Sequence, residues 1–135
     1  MSVLLTVVVT GFSLLALLIV VPRILMGIRT MQMKGKAAPT PHKPSKTRIQ
    51  SGKKTILYFF TPQCGACRMQ EPIINRLKKR FDDAIYKIDA TRNQDAAGAY
   101  GVMAVPFLAF IENGQLVSAK AGVQPESALE RFLNG

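Results

Sequence analysis

The sequence has few of the residues that usually hold metals or build covalent scaffolds. Its 135 residues contain only two cysteines and one histidine. Two cysteines are too few for the disulfide framework of a small secreted domain, and they say little about the redox compartment. A zinc site needs four ligands, so Cys64, Cys67 and the distant His42 would need a second chain to complete it. An intermolecular zinc site is therefore only an alternative, and the cysteine pair is the main indication of function.

Acidic residues are absent from the first 54 positions of the chain. Nine of the 18 Lys and Arg residues lie there, whereas residues 55–135 hold nine basic against eight acidic residues, a net charge of +1. The formal charge of +10 therefore belongs to the N-terminal segment. A basic domain surface is the usual signature of nucleic-acid binding, so this distribution gives such a role little support.

Charged residues are also missing from Val3 to Val21, a run rich in Leu and Val. At ~1.5 Å per helical residue, this run nearly spans the ~30 Å of a bilayer core. A cleaved signal peptide is the alternative, but it has a basic segment before a shorter apolar core. Nothing basic precedes this core, and the Lys36-Ala37-Ala38-Pro39 segment is a poor cleavage site. We predict that residues 1–28 form a permanent single-pass transmembrane anchor.

Basic residues flank the apolar run on its C-terminal side alone, at Arg23, Arg29, Lys34 and Lys36. The positive-inside tendency keeps such a flank in the cytoplasm. The sequence therefore predicts a domain that faces the cytoplasm. An exterior or periplasmic domain is the alternative.

Residues 29–53 follow the predicted anchor and are rich in Pro and Lys. They show no apolar periodicity, which is typical of an extended, poorly ordered linker. His42 is then a solvated linker residue, and the lysines of the segment are expected to contact anionic lipid headgroups. The remaining residues, 54–135, are predicted to form the folded domain.

The two cysteines lie where a predicted strand meets a predicted helix. Thr55–Phe60 is an apolar run dominated by β-branched and aromatic residues, which indicates a buried strand. Apolar residues at steps of three to five follow the cysteines and predict a helix that ends near Phe81. A helix N-terminus favours a thiolate over a thiol, and the thiolate is the nucleophile in disulfide exchange. We expect Cys64 to point outward as the attacking thiolate and Cys67 to face it as the resolving thiol.

The later part of the chain predicts a mixed sheet. A second strand over Ala84–Ile88 precedes a short helix through Ala96–Tyr100 that Asp89 or Thr91 would cap. Asn113-Gly114 then joins two apolar runs, which is a strong hairpin signal, and a closing helix covers 125–133. The predicted fold class is α/β, with the order β-α-β-α-β-β-α after one N-terminal transmembrane helix.

With these motifs in place, residues 53–135 resemble the thioredoxin family. Pro72 lies five residues after Cys67, where thioredoxins kink this helix. The Tyr100–Pro106 segment is similar to the one that leads to the family's cis-proline, and the Asn113-Gly114 turn and Gly122 also match. The resemblance implies a thioredoxin-like fold whose redox group is the Cys64–Cys67 disulfide, with no organic cofactor and no metal.

The resemblance also implies a substrate surface beside the cysteine pair. The Val105–Pro106 bond would be cis, and the Val105 backbone would pair with an extended substrate segment. Gly65 and Ala66, between the cysteines, complete the motif. An ordinary trans proline at the start of a strand is the alternative.

The chain departs from the family pattern in several places. Gln63 and Ala66 stand where thioredoxins usually have Trp and Pro, and Tyr58 stands where they often bury an aspartate. Neither Tyr58 nor Ile85 supplies the family's buried acid–base pair. Glu71 lies four residues after Cys67, within reach along one helix face, but we interpret it as a solvated surface residue. The domain also lacks the family's first strand and helix, which makes it a minimal version.

These features predict a membrane-tethered thiol–disulfide oxidoreductase that reduces protein disulfides. No histidine lies between the cysteines, as it does in strongly oxidising relatives, and this favours a reductant. The implied partners are protein disulfides, an upstream thiol reductant and membrane lipids, but no nucleic acid. The alternatives are a non-catalytic docking module of a membrane complex and an exported reductant for cytochrome or envelope thiols.

Overall fold

The computed structural model describes residues 1–33, 35–39 and 43–135, so His42 lies outside the described residues. The described chain divides into two compact units, Met1–Gln32 and Met33–Gly135. The first is helical throughout, and the second contains every strand assigned in the described residues. We describe each unit by itself.

Helix α1 (Ser2–Met33) accounts for the N-terminal unit. Its Ser2–Pro22 part is long and apolar enough to cross a membrane. The hydroxyls of Thr6 and Thr10 donate to the carbonyls of Ser2 and Thr6 at 2.7 and 2.8 Å, so neither needs water as a partner. The predicted apolar helix is confirmed. A signal sequence near the N-terminus can meet the same criterion of length and apolar composition, so permanent anchoring stays a prediction.

The second unit is built on one four-stranded mixed sheet. Its strands are β1 (Thr55–Phe60), β2 (Ile85–Asp89), β3 (Phe107–Glu112) and β4 (Gln115–Ala121), and its later helices are α3 (Gly65–Arg80), α4 (Gln94–Ala99) and α5 (Glu126–Asn134). The strand order is β2-β1-β3-β4, with β1 parallel to β2 and the other two pairings antiparallel. The predicted order β-α-β-α-β-β-α is confirmed from β1 onward. An unpredicted 3-10 turn, Asp82–Ala84, lies before β2.

Strand β1 lies between β2 and β3, and it is buried on both faces because helices pack on both sides of the sheet. Its alternate side chains divide between two apolar clusters, with Leu57 and Phe59 in one and Ile56 and Tyr58 in the other. The Tyr58 cluster includes residues of α3 and α5, whereas the Phe59 cluster includes residues of α4 and Tyr100. This position fixes the end of β1, after which the cysteines follow.

The segment before β1 is more ordered than predicted. Helix α2 (Lys43–Gln50) forms there, and its Ile49 is 2 % exposed within the core cluster of Phe59. The described part of the preceding segment bonds to β4, because Ala37 bridges Gln115 in antiparallel fashion. The prediction of an extended linker is therefore wrong for these residues, and so is the claim that no helix precedes β1. Burial of a few side chains stabilises a segment whose composition alone favours an extended chain.

Helix α3 buries a different set of residues from the one that its apolar pattern indicates. Met69 is 67 % exposed, whereas the neighbouring Gln70 is fully buried. The Gln70 amide accepts from the Gln124 N–H at 2.6 Å and donates to the Gln124 carbonyl at 3.2 Å. Because both hydrogen-bonding groups of the amide are satisfied, the buried side chain joins α3 to the loop before α5.

The turns follow their sequence signals, with one exception. The β3–β4 hairpin turns at Asn113 and Gly114, which have φ angles of 52° and 71°. Both values lie in the left-handed region that a tight hairpin turn requires.

The predicted cap of α4 is wrong, because Asn93 is the N-cap and the Asp89 carboxylate accepts from the Thr91 N–H and hydroxyl instead.

Candidate active site

The two cysteines form a disulfide at the start of α3. Cys64 is the N-cap residue, and its sulfur accepts from the Cys67 N–H at 3.1 Å. The Cα atoms of the pair are 5.2 Å apart. Cys64 is half-buried, whereas Cys67 is 4 % exposed. The structure therefore places the two sulfurs in different surroundings, with Cys64 as the one that a partner can reach.

The Val105–Pro106 peptide bond lies beside Cys64 and is cis, as predicted. The Cys64 sulfur is 3.6 Å from the Val105 carbonyl oxygen, although the two residues are 41 positions apart. Val105 is half-buried and Pro106 is buried, so the proline fixes a backbone segment at the rim of the site. An extended chain that bonds to this segment would lie across the Cys64 sulfur.

Exposed residues surround the disulfide. Gly65 and Ala66 lie between the cysteines and are exposed, so the first turn of α3 is open to a partner. Met69 and Met103 are 67 % and 63 % exposed. Methionine side chains adapt to irregular apolar partners, and these two are the large apolar groups of this region that remain in contact with water. The sequence analysis did not single out either residue as part of a site.

The inner side of the disulfide contacts Tyr58, which is fully buried in β1. Its hydroxyl donates to the Cys67 carbonyl oxygen at 3.3 Å. Burial, together with the charge and hydrogen bonding of the nearby Glu71 carboxylate, raises the pKa of Tyr58 to about 12. Tyr58 is therefore a neutral hydrogen-bond donor at neutral pH.

Glu71 is not the solvated residue that the sequence indicated. Its carboxylate accepts a hydrogen bond from the Lys87 ammonium, and the two side chains are 33 % and 30 % exposed. The Lys87 nitrogen also lies 5.6 Å from the centre of the Phe60 ring, a cation–π contact. A part-exposed acid–base pair therefore lies beside the cysteines, although Tyr58 and Ile85 supply no buried pair.

A small cavity joins this pair to the disulfide. Its volume is about 190 Å³, and its lining residues are Phe60, Thr61, Pro62, Cys64, Cys67, Arg68 and Glu71. A water molecule occupies ~30 Å³ of liquid and needs two to four polar partners. The cavity is roomy enough for water, and Glu71 and both cysteines are among its lining residues.

Sequence reasoning missed Lys87 because its partner is 16 positions away on another element. The half-exposed positions of β2 give no pattern that marks one lysine as part of a site. The sequence offers one indication of Glu71, which is its spacing of four residues from Cys67. That spacing points to a site only when the contact of Glu71 with Lys87 is known.

The site holds no donor set for a metal. Within residues 1–33, 35–39 and 43–135, no group of three or more His, Cys, Asp or Glu side chains comes together. The redox group is the cysteine pair itself, as in the family that the sequence resembles.

Comparisons with known proteins all point to one protein family. The thioredoxin family model matches residues 40–135. The thioredoxin of Bacillus subtilis is 38 % identical over 78 residues, which cover 56 % of this chain and 75 % of that protein. The thioredoxin of Haemophilus influenzae is 33 % identical over 88 residues, or 64 % of this chain and 82 % of that protein.

Solved structures agree with the sequence matches. Oxidised mitochondrial thioredoxin 3 of Saccharomyces cerevisiae has a TM-score of 0.57 at 27 % identity, over 65 % of this chain and 83 % of that one. Fasciola hepatica thioredoxin has the same TM-score at 29 % identity, over 65 % of this chain and 84 % of that one. Residues 40–135, which the family model matches, include the disulfide and the cis-proline.

Proposed function

Because this chain belongs to the thioredoxin family, whose members are thiol–disulfide oxidoreductases, we propose that it is a membrane-anchored reductant of protein disulfides. The observation that carries the proposal is the difference between the two sulfurs. Cys64 is half-buried beside the Val105 carbonyl, and Cys67 is buried behind it. Such a pair accepts a substrate on one sulfur and releases it with the other.

In the proposed reaction, the Cys64 thiolate attacks one sulfur of a substrate disulfide. A mixed disulfide forms, and one substrate thiolate leaves. Cys67 then loses its proton and attacks the Cys64 sulfur, which releases the second substrate thiolate and closes the Cys64–Cys67 disulfide. The substrate gains two electrons and two protons, and the protein dithiol loses them. An upstream thiol reductant restores the dithiol.

We assign substrate binding to the backbone at Val105 and Pro106 and to the open first turn of α3. The position of the Val105 carbonyl beside the Cys64 sulfur supports this assignment, because main-chain hydrogen bonds recognise an extended peptide whatever its side chains are. Gly65 and Ala66 leave room for a bulky partner above the disulfide. The surface therefore favours protein disulfides over one particular small molecule.

A direct assay tests the reductant. The full-length protein in detergent micelles is supplied with a thiol reductant and a disulfide-bonded peptide that fluoresces when it is cleaved. We expect catalytic turnover well above the rate with the thiol reductant alone. A docking module with incidental cysteines would give no turnover, and that result would refute the proposal.

We propose that α1 anchors the protein permanently and that the domain faces the cytoplasm. The 21-residue apolar stretch and the basic residues after it support this arrangement. Alkaline carbonate should leave the protein in the membrane fraction, whereas a cleaved signal peptide would release it. When the cells are first mildly reduced to open the disulfide, a membrane-impermeant thiol reagent should label Cys64 only in lysed cells. Labelling in intact cells would favour the exported reductant.

A further inference from the structure

The proposed reaction needs a group that takes the proton of Cys67, and the structure offers one. Cys67 must be a thiolate to attack the mixed disulfide, but at 4 % exposure bulk water has little access to it. The apolar surroundings of a buried thiol disfavour its charged form. A nearby base would remove this obstacle at neutral pH.

We propose that Glu71 accepts the proton of Cys67 when that thiol resolves the mixed disulfide, and that Lys87 and Tyr58 hold the carboxylate in place. The inference rests on the proposed function above. Both Glu71 and Cys67 line the same cavity, which has room for a bridging water. Glu71 lies one helical turn after Cys67 on α3, so the two side chains share one face of the helix.

The neighbours of Glu71 suit a proton acceptor whose position is fixed. Lys87 of β2 donates to its carboxylate, and Tyr58 of β1 presents its hydroxyl beside it. Arg68 of α3 lines the same cavity. Lys87 therefore fixes the position of the carboxylate from β2, and a second cation, Arg68, lies at the same cavity.

The step balances without any other reactant. The Cys67 S–H bond breaks, and its proton passes through water to a Glu71 oxygen. The Cys67 thiolate forms a bond to the Cys64 sulfur, the bond from Cys64 to the substrate breaks, and the electron pair leaves on the substrate thiolate. Glu71 then returns the proton to water or to the departing thiolate.

A two-step thiol titration separates the two sulfurs. The reduced full-length protein, in detergent micelles, is mixed with dithiobis(nitrobenzoate), whose coloured thiolate is released once when Cys64 attacks and once more when Cys67 resolves. We expect Glu71→Gln to leave the first release unchanged and to slow the second about 10²-fold near pH ~6.5, the typical loss of a general base. The difference should shrink as pH rises, because hydroxide can then take the proton of Cys67 without help from Glu71.

Two further variants separate proton transfer from folding. Glu130→Gln removes a carboxylate that is 30 % exposed and paired with Arg80, so it matches Glu71 in burial and pairing but should change neither release. Glu71→Gln alone leaves Lys87 without its carboxylate partner, which could disturb the local structure. The double variant Glu71→Gln/Lys87→Met removes both charges together. The second release should stay slow if Glu71 transfers the proton, whereas recovery of its rate would show a structural role and overturn the proposal.

Other outcomes are equally decisive. The proposal is overturned if the rate of the second release in Glu71→Gln equals that of the wild type at every pH. It is also overturned if Glu71→Gln slows both releases equally. The titration uses no protein substrate, so its result can be interpreted even if the proposed function is wrong. If the second release depends on Glu71 but the protein reduces no protein disulfide, only the proposed function is refuted.

Discussion

The two sides of the disulfide differ in what surrounds them. The outer side has backbone and open space, with Val105, Gly65 and Ala66 around a half-buried Cys64. The inner side has buried Cys67 and Tyr58 and the ion pair of Glu71 with Lys87. The outer side therefore has the features of recognition and the inner side those of proton transfer. One helical turn separates the two kinds of chemistry.

Loss of the outer sulfur should have the largest effect. Cys64→Ser removes the group that attacks the substrate, and the buried Cys67 cannot take its place. We expect peptide-disulfide reduction to fall to the rate of the thiol reductant alone, measured in the fluorescent assay. Retained turnover would mean that the assignment of the attacking sulfur is wrong.

Loss of the inner sulfur should stop the reaction one step later. Cys67→Ser keeps the attack by Cys64 but removes the resolving thiol, so mixed disulfides should accumulate. Intact-protein mass spectrometry after exposure to the disulfide peptide should show one covalently bound peptide thiol per chain. Cys64→Ser is the matched control and should show none, because the remaining cysteine is 4 % exposed.

Removal of the inner hydroxyl should have a moderate effect. Tyr58→Phe deletes the hydrogen bond to the Cys67 carbonyl and keeps the packing of the ring, so the free energy of unfolding should fall by about 1 kcal/mol. Denaturation followed by circular dichroism measures this change. Tyr100→Phe is the matched control because its hydroxyl bonds to the Pro39 carbonyl at 2.6 Å, outside the site. Both variants should lose stability, but only Tyr58→Phe should slow the second thiol release.

A carboxylate outside the inner side should give the smallest effect, and one that disappears in acid. A hydrogen bond from Arg76 lowers the pKa of Glu126, so its contribution to stability is present above the unfolded pKa and is lost as pH falls through the lower folded value. Glu126→Gln should therefore slightly lower the melting temperature at neutral pH, and the difference from the wild type should disappear below the lowered folded pKa of Glu126. Both thiol releases should stay at their wild-type rates. A slower second release in this variant would show that any helix-borne carboxylate has the effect assigned to Glu71.

Local patterns in the sequence were sufficient for much of the fold. Strand β1 was predicted with its observed bounds, Thr55–Phe60, because a buried central strand is one continuous apolar run. The hairpin followed from Asn113-Gly114, and the cis bond followed from the family resemblance alone. These features depend on residues that are adjacent in the chain or on a pattern shared with relatives.

The remaining features depend on contacts between distant residues. Helix α2 has eight residues and buries only Ser45 and Ile49 among those described, which is too few to form an apolar period. Gln70 reads as a polar surface residue until Gln124, 54 positions later, is placed against it. Glu71 was misjudged for the same reason, because the lysine that pairs with it lies on β2.

The unequal burial of the two cysteines also affects how the protein withstands oxidants. Hydrogen peroxide can reach the half-buried Cys64 and would convert it to a sulfenic acid, while Cys67 is shielded. A sulfenic acid condenses with a neighbouring thiol, and the two Cα atoms are only 5.2 Å apart. The product is the same internal disulfide that ordinary turnover makes. Oxidative damage at Cys64 is therefore repaired by the same thiol donor that drives the reaction.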